Sequence, residues 1–435
     1  MEGISDQWRE FKDELSEISN LSVMTEFSNN RISHFASDES TITFFARTDY
    51  RGELKIFGIK RPDRRAHMYL LGKTGTGKSS LMESMMLDDL QKGLGFALLD
   101  PHGDLLKKIR AEIPESRAED VIDFDAADPN QPYGFNPLAN IPVSKRPLAC
   151  SGLIQVFKHL WSDSWGPRLE YILRNCLLSL LDYPDATLSD ILRLLSDKYF
   201  REKVVSYMSN KQIRDFWHKE YDRYPERFKV EAISPIQNKV GAFLSHPLLK
   251  RILTDPERPL NLRRVMDEGK ILLVNLAKGS IGEDTSNLLG SLLISRFDLA
   301  ALSRANIPES QRRDYTLYLD EFHNFTTQSL IFMLSELRKY RLSLVLAHQY
   351  LTQLEPNIRD AILGNAGTII VFRIGANDAE TISMEFAPEF KITDFTNLPN
   401  YHIYLKLMID GKISRPFSAV TIRPETLSET ASDPV

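Results

Sequence analysis

The chain has 435 residues, of which 42% are hydrophobic and 26% charged, and its 54 basic and 59 acidic residues give a net charge of -5. This composition is ordinary for a soluble globular protein and excludes the disordered, collagen-like and disulfide-scaffold classes. The two cysteines, Cys150 and Cys176, are too few for a disulfide framework and indicate a reducing compartment. The length predicts roughly two to four domains.

The negative charge is concentrated near the N-terminus. Residues 1–40 hold nine acids and three bases, whereas the rest of the chain holds 51 bases and 50 acids. Because the body is nearly neutral, contacts with nucleic-acid phosphates would have to come from local basic patches and not from a global basic field.

The first 40 residues are predicted to hold one amphipathic helix and a linker. Trp8, Phe11, Leu15 and Ile18 repeat at helical spacing, as in a helix that packs on the body or in an arm that binds a partner. Residues 19–40 are rich in Ser and Asn, as linkers are. The start of the chain lacks the pattern of a secretory signal, and the longest apolar runs are far shorter than the ~20 residues of a spanning helix. We therefore expect no membrane-spanning segment and a cytoplasmic protein that partners recruit to the membrane.

From residue 66 onward, short apolar segments alternate with helical stretches. The predicted strands are His67–Leu71, Phe96–Leu99, Val121–Phe124, Ile271–Leu276, Leu317–Leu319, Leu342–Ala347 and Thr368–Phe372. Continuous apolar strands separated by helices are typical of a mainly parallel sheet with both faces covered. The sequence therefore predicts an α/β fold.

A region of different character separates the third and fourth of these strands. In residues 140–260 glycine is sparse and apolar residues recur at helical spacing. We therefore predict an all-helical insertion domain at 140–260 between two parts of the core, at 41–139 and 261–423. Residues 424–435 are predicted to be a C-terminal tail.

The strongest motif follows the strand His67–Leu71. The run Gly-Lys-Thr-Gly-Thr-Gly-Lys-Ser at 72–79 fits the phosphate-binding loop pattern G-x-x-x-x-G-K-[ST]. The glycines let the backbone curl so that its N–H groups face phosphate oxygens, Lys78 would neutralise phosphate charge, and the Ser79 hydroxyl would bind Mg²⁺. The residues predicted to bind nucleotide in this loop are Gly72, Lys73, Thr74, Gly75, Thr76, Gly77, Lys78, Ser79 and Ser80.

Two carboxylates end a second strand. Asp320 and Glu321 follow Leu317–Leu319, and the carboxyl ends of parallel strands are where α/β folds bind ligands. Asp320 would hold Mg²⁺ through water, and Glu321 would orient or deprotonate the attacking water. Together with the phosphate-binding loop, these residues predict an ATPase that uses Mg²⁺.

Polar residues follow two further strands. Gln349, after Leu342–Ala347, could sense the γ-phosphate or the attacking water, or could simply cap a turn, and His348 is interpreted as structural. Asp100 follows Phe96–Leu99 and begins a tight turn. We predict that Asp100 lies beside the nucleotide as a second carboxylate near the metal.

Four arginines are candidates for contact with the nucleotide. Arg338 lies one helix after the two carboxylates, and Arg373 follows Phe372 at the end of a predicted strand. Either could be a finger donated by a neighbouring subunit, worth roughly 10³–10⁵ in rate, or a solvated basic turn or a DNA-phosphate contact. Arg64 and Arg65 precede the strand before the loop and are further candidates.

In this order, the motifs resemble those of the HerA/FtsK superfamily of P-loop ATPases, and within it the conjugative coupling proteins of the TraD/TraG type and the HerA-like branch. The resemblance covers about residues 55–420. Its motifs are Gly72–Ser79, Asp100–Asp104, Leu319–Glu321, Ala347–Gln349 and Phe372–Gly375. It implies a RecA-like core, ATP and Mg²⁺ as cofactors, and a homohexameric ring that moves DNA through its channel.

The resemblance also implies roles for single residues. Lys78 and Ser79 are assigned to nucleotide and Mg²⁺, Asp320 to the metal, Glu321 to water, Gln349 to sensing and Arg338 to the finger acting in trans. The helical insertion resembles the all-α domain with which coupling proteins meet substrate or partners, such as relaxase or secretion-channel proteins. Coupling proteins usually begin with membrane helices and FtsK ends in a winged helix; neither is expected here.

These patterns favour an ATP-driven DNA translocase for conjugative or type IV secretion DNA transfer, with sequence-independent DNA binding. One alternative is an ATPase that powers protein export or pilus assembly. Another is a nucleotide-gated interaction platform with little hydrolysis, which the presence of both Asp320 and Glu321 disfavours.

Overall fold

The computed structural model describes residues 41–49, 55–254 and 256–422. The predicted N-terminal helix, the linker at 19–40 and the tail at 424–435 lie outside these residues. Within them, no helix combines the length and the hydropathy needed to cross a bilayer.

The described residues form strands and helices that alternate along most of the chain. The strands are β1 (Ile42–Thr48), β2 (Ile56–Lys60), β3 (Met68–Leu71), β4 (Gly95–Asp100), β5 (Val121–Asp125), β6 (Tyr133–Gly134), β7 (Arg258–Pro259), β8 (Ile271–Asn275), β9 (Tyr315–Leu319), β10 (Leu342–His348), β11 (Thr368–Val371), β12 (His402–Lys406), β13 (Met408–Ile409), β14 (Lys412–Ile413) and β15 (Phe417–Thr421). All seven strands predicted from the sequence are present, as β3, β4, β5, β8, β9, β10 and β11.

The α-helices connect these strands or build the insertion. They are α1 (Arg61–Arg64), α2 (Lys78–Gln91), α3 (Asp104–Ala111), α4 (Arg146–Leu160), α5 (Pro167–Asp182), α6 (Asp190–Ser196), α7 (Lys198–Ser206), α8 (Lys211–Asp215), α9 (Glu226–Leu244), α10 (Pro247–Thr254), α11 (Leu262–Glu268), α12 (Lys278–Ile281), α13 (Glu283–Ser303), α14 (Gln328–Glu336), α15 (Pro356–Asn365), α16 (Ala376–Glu385) and α17 (Ile392–Thr396). Two short 3₁₀ turns, Phe322–Phe325 and Leu337–Tyr340, also carry residues of interest.

The chain divides into two compact units. The first holds the described residues up to Gly93 and from Gly367 onward, and the second is Leu94–Ala366. In the first unit, β3 pairs in parallel with β11, and β12, β15, β1 and β2 follow in antiparallel pairs. All four residues of β3 are buried, which agrees with the continuous apolar run seen in the sequence.

The second unit is built on five parallel strands. Their order is β10, β9, β4, β8 and β5, and every neighbouring pair is parallel. The residues of β4, β9 and β10 are all buried, as expected for strands with both faces covered by helices. The predicted α/β fold with a mainly parallel sheet is therefore confirmed.

A helical segment interrupts the second unit between β5 and β8. The chain enters and leaves it through the short parallel pair of β6 and β7, where Tyr133 faces Arg258. Between Val143 and Thr254 the described residues form helices and turns. The segment has a core of its own, in which the Trp217 indole donates to Ser179 Oγ (2.8 Å) and the Tyr221 hydroxyl donates to the Leu195 carbonyl (2.8 Å). Both cysteines are buried in it as free thiols.

A buried ion pair holds α2 in the first unit. The Arg64 guanidinium donates to both carboxylate oxygens of Asp89, at 2.6 and 2.8 Å, and Arg64 is only 3% exposed. Arg64 precedes β3, whereas the phosphate-binding loop follows the other end of that strand. The interpretation of Arg64 as a nucleotide contact is therefore wrong, because its guanidinium is paired within the core. The position of Arg64 in the sequence did not reveal this pairing.

Candidate active site

The loop at 72–79 has the backbone conformation that a phosphate cradle requires. Gly75 and Gly77 have φ values of 75° and 121°, in the region where glycine alone is unstrained. Helix α2 begins immediately afterwards, at Lys78. The N–H groups of its first turn have no partner within the helix, so they and the helix dipole favour an anion at this position.

Residues distant in the sequence support this loop from within the same unit. The Lys73 N–H donates to the Arg373 carbonyl (2.9 Å), and the Tyr401 N–H donates to the Thr76 carbonyl (2.8 Å). A Cβ atom at position 77 would lie 2.9 Å from Tyr401 Cδ1, so glycine is required there by packing as well as by backbone conformation. Sequence reasoning missed Tyr401, which carries no motif of its own.

The Lys78 side chain folds back over the loop. Its ammonium group donates to the carbonyls of Gly72 (2.6 Å) and Lys73 (3.2 Å), and the residue is 6% exposed. Ser79, the next residue, is exposed on the first turn of α2. The loop thus holds a cation and an accessible hydroxyl at a helix N-terminus, the groups that a triphosphate and its magnesium ion use in P-loop proteins.

In the second unit, Asp320 and Glu321 follow β9 directly. They are 7% and 6% exposed. Asp320 Oδ1 accepts a hydrogen bond from the Glu321 N–H (3.0 Å). Glu321 has a left-handed backbone (φ 45°, ψ 46°), which costs a non-glycine residue about 1–3 kcal/mol and is found most often at functional sites.

The two carboxylate oxygens of Glu321 have different surroundings. Gln349, directly after β10, donates its side-chain N–H to Oε1 (2.7 Å). Oε2 lies 3.4 Å from His323 Nδ1, and neither atom makes a hydrogen bond with any described residue. Burial lowers the pKa of His323 and so favours its neutral form. The carboxylate is therefore fixed through one oxygen, and the other can still accept a proton from water.

The main chain of Glu321 is also fixed. The Asn324 side chain donates to the Glu321 carbonyl (2.7 Å), and the Lys278 ammonium in turn donates to Asn324 Oδ1. Sequence reasoning missed both residues. Lys278 follows β8, so the rule that polar residues after parallel strands gather at one sheet edge could have identified it.

Asp100 is the last residue of β4, the strand next to β9, and is completely buried. Its Oδ1 accepts the His102 N–H (2.9 Å) and its Oδ2 accepts the Leu106 N–H (3.0 Å). Both oxygens therefore stabilise the turn into α3. Its predicted role beside the nucleotide and the metal stays a prediction.

The two candidate finger arginines have different environments. In the first unit, Arg373 donates to the Leu398 carbonyl (3.1 Å) and to Asn400 Oδ1 (2.9 Å). In the second unit, Arg338 is exposed in the turn that precedes β10, whereas Gln349 follows that seven-residue strand. At ~3.3 Å per residue, β10 separates them by about 20 Å. Arg338 therefore lies at the N-terminal end of the parallel strands, whereas Glu321 lies at their C-terminal end.

Comparison with known proteins gives matches at the level of family and fold. A family model described as the central domain of helicase HerA matches residues 63–297, and one described as the TraM recognition site of TraD and TraG matches residues 314–387. No curated protein matches the sequence.

The solved structures that share this fold include conjugation proteins. The bacterial conjugative coupling protein TrwB, in its unbound form, is 16% identical with a TM-score of 0.61, and the match covers 87% of this chain and 89% of that one. Plasmid coupling protein TrwB in complex with ADP and Mg²⁺ is 16% identical (TM-score 0.60; 92% and 95% covered). VirB4 of Thermoanaerobacter pseudethanolicus is also 16% identical (TM-score 0.57; 89% and 98% covered).

At this level of identity the structural matches show a shared fold, that of RecA-like P-loop ATPases. The predicted resemblance to the HerA/FtsK superfamily is confirmed. Because the HerA model spans residues 63–297, more than half of the 435 residues, the chain belongs to the family of the HerA central domain.

Proposed function

We propose that this protein is an ATP-driven motor that translocates DNA without sequence preference, in conjugative or type IV secretion DNA transfer. The observation that carries the proposal is the phosphate-binding loop, in which Gly75 and Gly77 have positive φ values and the Lys78 ammonium lies over the loop carbonyls. Membership of the HerA family supports it. The fold shared with the conjugative coupling protein TrwB and with VirB4 also supports it.

The residues of the phosphate-binding loop and those that follow β9 and β10 have separate roles in this proposal. The N–H groups of residues 72–80 and the Lys78 ammonium bind the phosphates of ATP. Ser79 and Asp320 supply hard oxygen donors, which suit Mg²⁺ because a nucleotide-bound magnesium ion takes only one or two oxygens from protein. When bound, Mg²⁺ would neutralise charge on the phosphate oxygens. Glu321, oriented by Gln349, accepts a proton from the attacking water.

We also propose that the protein acts as a homohexamer in which Arg338 completes the site of a neighbouring copy. Within one chain Arg338 lies about 20 Å from Gln349, along the length of β10, so it can reach a site of this kind only from another subunit. Arg373 is the second candidate finger. Its guanidinium already bonds to Leu398 and Asn400, which favours Arg338.

Mixing two inactive variants tests Arg338. Arg338→Ala and Glu321→Gln are each expected to abolish turnover when assayed alone. Co-assembled in equal amounts, they should recover up to about a quarter of wild-type turnover, because only an interface that pairs an intact Glu321 with an intact Arg338 is complete. A mixture of Glu321→Gln with Lys78→Ala, which pairs two defects on the same side of the interface, is the control and should recover nothing. Full activity of Arg338→Ala alone would contradict the role.

For partners, we propose DNA, further copies of the chain, and proteins of the transfer apparatus such as relaxase or secretion-channel components. Residues 314–387 match the model described as the TraM recognition site of TraD and TraG, so this segment is the natural candidate for contact with a partner protein. A cytoplasmic location with recruitment to the membrane through such partners stays a prediction.

DNA stimulation of ATP turnover tests the choice of cargo. We expect saturating single- or double-stranded DNA to raise the turnover rate at least ~10-fold. Random and defined sequences should act alike, and the stimulation should fall steeply between about 50 and 200 mM salt, because backbone charge dominates such binding. The assay compares turnover with and without DNA across a salt series, with a polyanion of similar charge as control. No change with either form of DNA would contradict the motor and leave protein export as the better account.

A further inference from the structure

A polar cleft in the second unit lies on helices that the proposed chemistry does not use. It has a volume of about 210 Å³ and is lined by residues of α4, α13 and α14. Its polar lining consists of Ser151, Gln155, Ser295, Asp298, Gln328 and Ser329. None of these residues belongs to the phosphate-binding loop or to the carboxylate site, so the cleft needs its own explanation.

The cleft contains a buried carboxylate that is only partly compensated. Asp298 is 4% exposed, and its Oδ1 accepts no hydrogen bond from any residue that the structure describes. Burial raises its pKa to about 7, and the positive charge of Lys145 only partly opposes this. An ionised carboxylate in such surroundings is costly unless a cation or hydrogen-bond donors approach it.

The walls of the cleft suit a long cationic side chain. Leu148 and Phe332 add apolar surface to the hydroxyl groups, as the aliphatic part of a lysine or arginine requires. Gly152 allows the Ser295 hydroxyl to lie close against α4, since a Cβ at position 152 would lie 2.7 Å from Ser295 Oγ. Hydroxyl and amide oxygens around a carboxylate can accept the remaining N–H groups of an ammonium or guanidinium.

We propose that this cleft binds a lysine or arginine side chain of a partner protein, with its cationic group paired to Asp298. Charge complementarity carries the choice of ligand, because Asp298 is a buried carboxylate whose Oδ1 atom accepts no hydrogen bond from the described residues. The inference is independent of the proposed motor function, since it needs neither nucleotide nor DNA.

Small-molecule probes test the cleft on the full chain. Saturation-transfer NMR would compare Nα-acetyl-lysine amide and Nα-acetyl-arginine amide with the neutral Nα-acetyl-norleucine amide. We expect at least one cationic probe to bind and norleucine amide not to bind. The two cationic arms distinguish an ammonium from a guanidinium ligand. Equal binding of the neutral probe, or no binding of either cation, would overturn the proposal.

Matched variants locate the binding. Asp298→Asn keeps the shape of the side chain and should lower the affinity for the cationic probe at least ~10-fold, the effect of losing one charge-assisted contact. Asp284→Asn, at an exposed position of the same helix, should leave binding unchanged. Gly152→Ala places a methyl group against the Ser295 hydroxyl of the cleft lining and leaves the carboxylate in place. It should also weaken binding, which keeps the proposal testable if Asp298→Asn fails to fold. A change of oligomeric state in Asp298→Asn would instead identify a second copy as the occupant and overturn the partner assignment.

Discussion

Replacing Glu321 by glutamine is expected to lower the ATP turnover rate at least ~100-fold while leaving ATP affinity within about threefold of wild type. The substitution removes the basic carboxylate and keeps the shape of the side chain. The new amide can still meet Gln349, because its carbonyl oxygen can accept the bond that Glu321 Oε1 now accepts at 2.7 Å. The expected defect is therefore confined to activation of water.

Single-turnover hydrolysis and equilibrium binding of a fluorescent ATP analogue separate these effects. Glu309→Gln is the matched control, because Glu309 is exposed in a turn that precedes β9 and should tolerate the change. If Glu321→Gln hydrolysed ATP at the wild-type rate, Glu321 would not be the base. A loss of ATP binding equal to the loss of turnover would show that Glu321 supports the fold of the site and does not activate water.

Replacing Lys78 by alanine is expected to weaken ATP binding by about 10- to 100-fold, the range of one lost charge-assisted contact. Turnover should fall below about 1% of wild type, because the same charge would stabilise the transition state. The Lys78 ammonium bonds to the carbonyls of Gly72 and Lys73, so the variant also loses contacts that shape the loop. Both effects act in the same direction on phosphate binding.

Isothermal titration with ATP and a coupled turnover assay measure the two quantities. Lys107→Ala, which removes the same charge from an exposed position on α3, is the control and should match wild type. A melting temperature close to that of wild type would show that the chain remains folded. Unchanged ATP affinity in a folded Lys78→Ala variant would refute the assignment of residues 72–79 as the nucleotide site.

Much of the fold could be predicted because most of its parallel strands are buried on both faces. Such strands appear as short continuous apolar runs, and every one of the seven predicted runs is a strand. The candidate site followed from a second rule, since the ends of parallel strands collect polar residues at one edge. That rule found Asp320, Glu321 and Gln349, which the structure brings together through the bond between Gln349 and Glu321.

Other features depend on contacts that no local pattern encodes. The turn hydrogen bonds to both oxygens of Asp100 are one example. The pairing of Arg64 with Asp89 is another. The left-handed backbone of Glu321 and the support from Asn324 and Lys278 were equally invisible in the sequence. The types of the polar residues indicate which chemistry is available. Tertiary packing decides which of their side chains are already engaged in hydrogen bonds or ion pairs within the fold.

The sequence by itself determined the residue types of the phosphate-binding loop, the strands and their parallel character, and the family motifs in order. Those features depend on local backbone freedom and on burial, which are properties of short segments. Only the tertiary structure decided that Tyr401 supports the loop and that Arg338 lies at the opposite end of the strands from Glu321. It also decided that Asp298 lines a cleft in which its Oδ1 accepts no hydrogen bond from the described residues. These features depend on which distant segments pack together. The free energy of that packing is distributed over many residues and cannot be assigned to any one of them.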